Sequence, residues 1–327
     1  MVAGHAVRER ARIVTVVAAV DCGTNSIRLL ISDISSAADT PGAAGVAKAD
    51  LVREMRIVRL GQGVDRTGRL DEAALERTLA ACAAYARTIS DHGAAVTRFC
   101  ATSATRDATN AAVFSDAVRH LFGVPPDVLT GGEEAALSYA GATRDLSGLR
   151  GPLLVADVGG GSTELVVGTG QQVEAAVSLD IGSVRMTERH LTDDPPTPAQ
   201  VQACRHDIDA ALDGCGLDLA TVRSFVGVAG TVTTLAAHAF GLGRYDSMRI
   251  HHAAVTLRAL AASCADIVAA DVDRRKAMPF MHPGRADVIG GGVLIVQALA
   301  ARLSGLRTSE MVASEHDILD GIAWSLA

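Results

Sequence analysis

A duplicated turn constrains this chain more than any other feature. Residues 153–168, LLVADVGGGSTELVVG, run apolar into Asp157, turn through Gly159, Gly160 and Gly161, pass Ser162, Thr163 and Glu164, and leave through a second apolar run. Residues 17–30, VAAVDCGTNSIRLL, have the same grammar: an apolar run, Asp21, then Gly23, Thr24, Asn25 and Ser26, then apolar again. Two Val- and Leu-rich runs joined by a Gly-rich turn read as a β-hairpin. Two such hairpins with the acid in register read as two related halves facing one cleft, because an internal repeat sets the architecture before any single element does.

The tips also point to chemistry. Glycine lets backbone N–H groups approach a bound group closely, and successive N–H groups in such a turn form an anion-binding nest. Asp157 and Glu164 flank one nest, and paired carboxylates beside a phosphate site suit Mg²⁺.

With 327 residues the chain exceeds one average domain and reads as two. Its net charge of −7 argues against a nucleic-acid coat, which needs a basic face. Aromatic content of 3% leaves few platforms for base stacking. Cysteines 22, 82, 100, 204, 215 and 264 form no CxxC pair and sit among apolar or small residues. They read as free thiols of a reducing cytoplasm rather than a disulfide or zinc framework. The apolar run 13–20 follows a basic start but leads straight into Asp21, so it reads as the first strand and not as a secretory signal. No run reaches membrane-spanning length.

Along the chain, residues 1–12 read as a polar, frayed end and 35–50 as a loop or hairpin link. Strands are expected at 13–20, 29–34, 51–60, 96–101, 127–129, 173–179 and 224–228. Asp71 reads as the N-cap of a helix reaching His92, and helices are expected over 111–122, 199–212, 288–303 and at the end of the chain. Residues 250–271 read as mostly helical, and Asp273–Lys276 as a solvated charge cluster. Arg106 lies just past a strand's carboxyl end, where α/β folds place ligand contacts; an ordinary pair with Asp107 is the alternative. Glu133 and Glu134 open a helix, where the macrodipole alone favours acids, yet a carboxylate between two phosphate loops can also deprotonate water. Gly230 and Thr231 stand where a strand meets a helix N-terminus, a third anion-ready place. Arg285 can reach the cleft or pair with Asp287. The His206-Asp207 and His316-Asp317 dipeptides read as incidental, and His251-His252 as a helix-opening cap or solvated pair.

These residues resemble the exopolyphosphatase and guanosine pentaphosphate phosphohydrolase (Ppx/GppA) family, within the superfamily of actin, sugar kinases and chaperone ATPases. The matching segments, in order, are DCGTNSIRLL at 21–30, ATSATRDATN at 101–110, GGEEA at 131–135, DVGGGSTELVVG at 157–168, GSVRMTE at 182–188, GVAGTVTTLAA at 227–237 and GRADVIGGG at 284–292. The likeness is greatest to the short actinobacterial exopolyphosphatase type, without the C-terminal HD-like domain of longer members.

The resemblance implies an α/β fold with two RNase H-like domains around a cleft, 13–134 plus 313–327 and 135–312. It implies Glu134 as base toward the attacking water, with Glu133 as the fallback. Asp157 and Glu164 would bind Mg²⁺, for which Mn²⁺ can stand in, with Asp21 near the metal. Gly23, Thr24, Asn25 and Ser26 would hold one phosphate, and Gly159, Gly160, Gly161 and Ser162 another. Arg28, Arg106, Ser183, Arg185, Gly230, Thr231 and Arg285 would line the anion path. Thr24 stands where the family often has Ser. The implied activity is release of orthophosphate from inorganic polyphosphate. Hydrolysis of guanosine pentaphosphate is the alternative, and a nucleotide-binding actin-like switch a third reading. A homodimer is implied as well.

Overall fold

The computed structural model describes residues 16–34 and 49–327. The polar end 1–12, the first residues of the strand expected at 13–20, and most of the link expected at 35–50 lie outside the described residues.

The first sheet contains β1 (Val16–Cys22), β2 (Ser26–Asp33), β3 (Ala49–Ile57), β4 (Val96–Ala101) and β5 (Asp127–Val128), in the order β3-β2-β1-β4-β5. Its first three strands form an antiparallel meander, and β4 and β5 run parallel to β1. The second sheet holds β6 (Leu153–Val158), β7 (Thr163–Thr169), β8 (Gln172–Leu179), β9 (Ser224–Val228), β10 (Ala253–Thr256) and β11 (Glu310–Ala313), in the order β10-β11-β9-β6-β7-β8. Read from β8, it repeats the first pattern, with β9 and β11 parallel to β6 and β10 added antiparallel at the edge. Each duplicated hairpin thus supplies the central strand and its neighbour in its own sheet. All of β6 and nearly all of β1 is buried. That is what a strand covered on both faces requires, and why both runs are continuously apolar rather than alternating.

Helices fill the connections. In the first half these are α1 (Val64–Thr67), α2 (Glu72–Asp91), α3 (Ser103–Asp107), α4 (Ala111–Phe122) and α5 (Gly131–Thr143). Asp71 caps α2 by accepting the Ala74 N–H at 3.1 Å, as its position before the apolar periodicity predicts. In the second half they are α6 (Ser183–His190), α7 (Pro198–Asp213), α8 (Ala229–Ala239), α9 (Ser247–Ile250), α10 (Leu257–Ala269), α11 (Val272–Lys276), α12 (Ile289–Leu303) and α13 (Ile318–Trp324). Helix α5 follows β5 yet buries Ala135, Tyr139 and Ala142 against Val155, Val166 and Val226 of the second sheet. Helix α13 follows β11 yet buries Ile318, Leu319 and Ile322 against Ala19, Leu30 and Cys100 of the first. The two helices therefore exchange sheets and cross each other at the base of the cleft.

Three expectations are corrected. The span 250–271 is mostly helical, through α10, but is interrupted: Ile250 ends α9, His251 and His252 form a turn, and β10 intervenes. Residues 253–256, Ala-Ala-Val-Thr, take the strand state because they pair with β11. His251-His252 therefore opens no helix. The charged segment at 273–276 is not wholly solvated either. Arg275 is buried and donates to the carbonyls of Ile267 at 2.8 Å and Ala286 at 3.2 Å. The helix expected from Val288 starts at Ile289, after a 3₁₀ turn over Pro283–Arg285.

Candidate active site

The two hairpin tips face each other. The same turn bond closes each: Gly23 N–H donates to Ser26 O at 2.9 Å, and Gly159 N–H to Ser162 O at 3.1 Å. A Cβ on Gly160 would stand 3.2 Å from the Asn25 nitrogen and 3.0 Å from the Thr24 Cβ. A side chain there would crowd the facing tip, so glycine suits the close approach. Between them lies a cavity of about 110 Å³ lined by both tips and by Asp21, Arg28, Glu134, Asp157, Glu164, Ser183, Gly230, Thr231 and Arg285. It shares Arg28, Gly230 and Arg285 with a neighbouring cavity of about 460 Å³, to which Tyr245, Phe280 and Met281 contribute apolar surface.

Sheet register places the acids. Asp157 pairs with Glu164 across the β6–β7 ladder, and at the equivalent place in the first hairpin Asp21 pairs with Arg28. The repeat thus carries two carboxylates in one half and a carboxylate–guanidinium pair in the other. Arg28 Nη2 and Nε donate to Asp21 Oδ2 at 2.6 and 2.9 Å. Arg28 Nη1 donates to Asp317, the residue that caps α13. The second oxygen of Asp21, Oδ1, is buried and has no hydrogen-bond partner among the described residues. Ser138 Oγ donates to Asp157 Oδ2 at 2.6 Å, and Ser178 Oγ to Glu164 Oε1 at 2.7 Å.

Burial dominates the electrostatics of this group. It raises Asp21, and it pushes Asp157 up to about 7, helped by the nearby Asp317 charge. It raises Glu164 well above the usual carboxylate range, with Glu134 and Asp157 adding to the effect. Glu134 rises to about 8 by burial, against the pull of Arg106. Four buried acids that resist ionising together form a site with a deficit of positive charge. The donor set is all oxygen and one of its oxygens is unpartnered, which fits a hard divalent cation.

Glu134 and Glu133 lie on different faces of α5. Glu134 is 7% exposed, lines the cavity, and accepts from Arg106 Nη1 at 3.2 Å. Arg106 also donates to Leu129 O at 2.8 Å, so it stands behind Glu134 rather than on the cavity wall. Glu133 is exposed. It completes a capping box in which its Oε2 accepts from Thr130 N at 2.9 Å and Thr130 Oγ1 at 2.8 Å, and those bonds lower its pKa.

The remaining residues divide by what they touch. Thr24 Oγ1 and Ser103 Oγ share a hydrogen bond of 2.9 Å. Ser183 lines the cavity while its N–H donates to Gly159 O at 2.9 Å, and the next two amides of α6 turn to Gly160 O. Arg285 is held by Gly230 O at 3.1 Å and Thr234 Oγ1 at 3.2 Å. Ala229, just before Gly230, has φ of 67°, a left-handed conformation that costs a non-glycine residue roughly 1–3 kcal/mol. Gly161 and Arg185 lie outside the cavity lining. Arg185 Nε donates to Gly161 O at 2.7 Å, and its Nη1 and Nη2 pair with Asp65 and Asp107 at 2.6 Å each. It ties the second half to the first at the closed edge of the cleft.

Sequence reasoning missed Ser138, Ser178, Ser103 and Asp317. A Ser on a helix or strand carries no signal of its own. Asp317 stood in an HD dipeptide, and its real signal was that of an N-cap before the last apolar helix.

Known proteins share this chain's sequence and fold over nearly its whole length. The Ppx/GppA phosphatase family model matches residues 43–326. The chain is 45% identical over 328 residues to exopolyphosphatase 2 of Mycobacterium tuberculosis, covering 96% of this chain and 99% of that protein. The crystal structure of an exopolyphosphatase-like protein superposes with a TM-score of 0.90 at 41% identity, covering 96% of this chain and 98% of that one. The Aquifex aeolicus member of the Ppx/GppA family superposes with a TM-score of 0.78 at 29% identity, covering 96% and 97%. Two RNase H-like, actin-type sheets, paired hairpin tips and a family match across nearly the whole chain lead to one assignment: this protein is a member of the Ppx/GppA phosphatase family.

Proposed function

We propose that this cleft is an exopolyphosphatase site that releases orthophosphate from the end of an inorganic polyphosphate chain. One observation carries the reading: two amide-rich tips meet over four buried acids, of which Asp21, Asp157 and Glu164 stand on hairpin strands and Glu134 on helix α5. Asp21, Asp157 and Glu164 would hold Mg²⁺, or Mn²⁺ in its place. When bound, the cation would neutralise charge on the phosphoryl oxygens. Asp21 Oδ1 supports this assignment, because a buried carboxylate oxygen without a donor is costly unless something positive faces it.

The chain's own residues do the rest. The tips carrying Gly23, Thr24, Asn25 and Ser26, and Gly159, Gly160 and Ser162, would offer N–H and hydroxyl groups to successive phosphates. Arg28 and Arg285 would balance the charge of the chain leading away. Glu134 would take a proton from water as its oxygen attacks the terminal phosphorus. The bond from that phosphorus to the bridging oxygen breaks, and the bridging oxygen leaves on the shortened chain with the electron pair. Phosphoryl transfer needs little more than positioning and charge stabilisation. Arg106 would keep Glu134 oriented, and Arg185 would hold the two halves together at the cleft edge.

Guanosine pentaphosphate is the second reading. The 460 Å³ cavity beside the phosphate cleft, with Tyr245, Phe280 and Met281 in its wall, favours it. The resemblance further supports a cytoplasmic homodimer with domains 13–134 plus 313–327 and 135–312. Among the described residues no helix is long and apolar enough to cross a membrane. Phosphate release measured side by side on a ladder of polyphosphate lengths and on guanosine pentaphosphate, with Mg²⁺, tests the proposal. Fast release from polyphosphate without nucleotide is expected. Release from guanosine pentaphosphate alone would transfer the assignment to the second reading.

A further inference from the structure

A second cluster of metal-ligating side chains lies outside the cleft, where α5 ends, where the turn between α9 and β10 passes, and where α13 begins. Asp145 follows α5, His251 and His252 form the turn, and His316 directly precedes the cap of α13. Asp145 Oδ2 is 3.1 Å from His251 Nε2 and 2.8 Å from His316 Nδ1, and Asp145 Oδ1 is 3.5 Å from His252 Nε2. The His251 ring lies 3.7 Å from His252 and 4.5 Å from His316, centroid to centroid.

Imidazole nitrogens beside a carboxylate are the ligand set of zinc-type cations, not of Mg²⁺, which prefers oxygen alone. One ligand atom each from Asp145, His251 and His316 lies within 4.8 Å of the others. In a tetrahedral site with bonds of about 2.0–2.1 Å, ligand atoms stand about 3.3 Å apart, so the side chains must draw together to close on one ion. His316 Nδ1 faces Asp145, and its Nε2 lies 3.9 Å from Asp320 Oδ1 on the far side of the ring.

We propose that Asp145, His251 and His316, with His252 as a fourth donor, bind one zinc-class dication. The inference is independent of the substrate of the cleft. It has a structural consequence. Glu315 N–H donates to His251 Nδ1 at 3.2 Å, which leaves the proton of the neutral ring on Nε2. A metal on Nε2 moves that proton to Nδ1, so two donors then face each other and the 314–317 turn must shift. That turn ends in Asp317, the partner of Arg28. Occupancy at this cluster is therefore coupled to the cleft through the cap of α13.

Calorimetric titration of Zn²⁺ into protein saturated with Mg²⁺ tests the site. One Zn²⁺ per chain is expected. His251→Gln and His316→Gln should each weaken it by more than the about 10–100-fold typical of losing an outer partner. Co²⁺ should give the intense visible bands of a four-coordinate ion in the native protein and not in these variants. Thermal melts without metal establish that the variants fold, and Asp145→Asn, at an exposed position, serves if a His variant does not. Zn²⁺ binding that excess Mg²⁺ abolishes, or that survives both His substitutions unchanged, would overturn the proposal.

Discussion

Gly141 of α5 and Gly321 of α13 meet at the point where the two helices exchange sheets. A Cβ on Gly141 would stand 3.1 Å from the Gly321 nitrogen and overlap the Asp317 carbonyl, while a Cβ on Gly321 would overlap the Leu137 carbonyl. The backbones of the crossing helices touch, and no side chain fits between them. This crossing sets how Glu134, on α5, and Asp317, at the start of α13, approach the cleft from opposite sheets.

Gly141→Ala and Gly321→Ala should therefore destabilise the protein by at least the roughly 1–3 kcal/mol of an overpacked core. Gly132→Ala, in the first turn of α5 with open space around it, should be neutral or slightly stabilising. Denaturant melts of the three variants give the comparison. Equal stability of all three would remove the crossing as a constraint.

Glu134→Gln should lower phosphate release by about 10²–10⁴-fold, the span of general-base catalysis. Its affinity for polyphosphate should change little, because the amide keeps the shape. Glu133→Ala should leave turnover nearly intact and lose only the capping bonds to Thr130. Single-turnover rates and equilibrium dialysis separate the two effects.

Arg106 opposes the rise of the Glu134 pKa, so removing it should raise that pKa further. The base works unprotonated. The acid limb of the kcat/KM profile should then move to higher pH in Arg106→Ala, with partial return in Arg106→Lys. An unmoved limb would separate Arg106 from the ionisation of Glu134.

Stability should depend on pH in a way that a divalent cation cancels. Asp157 and Glu134 have folded pKa values of about 7 and about 8, above their ordinary values of 3.8 and 4.5. A carboxyl raised on folding contributes stability at low pH that is lost as pH rises toward the folded pKa. Between pH 6.5 and 8 the metal-free protein should lose up to about 1.4 kcal/mol per pH unit for each such group still protonated. The window lies above the usual His pKa, so His252, whose shift acts at lower pH, does not mask it. Melting temperatures taken with EDTA should fall across this range, and saturating Mg²⁺ should flatten the slope. Parallel slopes would take the cation away from these carboxylates.

Most of the fold was legible in the chain because its signals are local. Apolar runs around a Gly-bearing turn mark each hairpin, Asp71 marks the start of α2, and Glu133 with Glu134 marks the first turn of α5. Strand β10, which interrupts the span read as mostly helical, is a short edge strand whose state depends on pairing with β11, more than fifty residues later. The site was legible to the same extent. Both hairpin tips and the acids Asp21, Asp157, Glu164 and Glu134 line one cavity, since sheet register carries an in-register repeat to equivalent places.

Tertiary structure alone decided the supporting partners. Arg28 and Asp317 are separated by 289 positions, and Arg185 and Asp65 by 120. Ser138 and Ser178 reach Asp157 and Glu164 from different elements, and the histidines around Asp145 come from two distant turns. The physical reason is the range of each force. Turn geometry, capping and periodicity act over a few residues and are written in the order of the chain. A pair made by two helices that exchange sheets exists only after both sheets have formed.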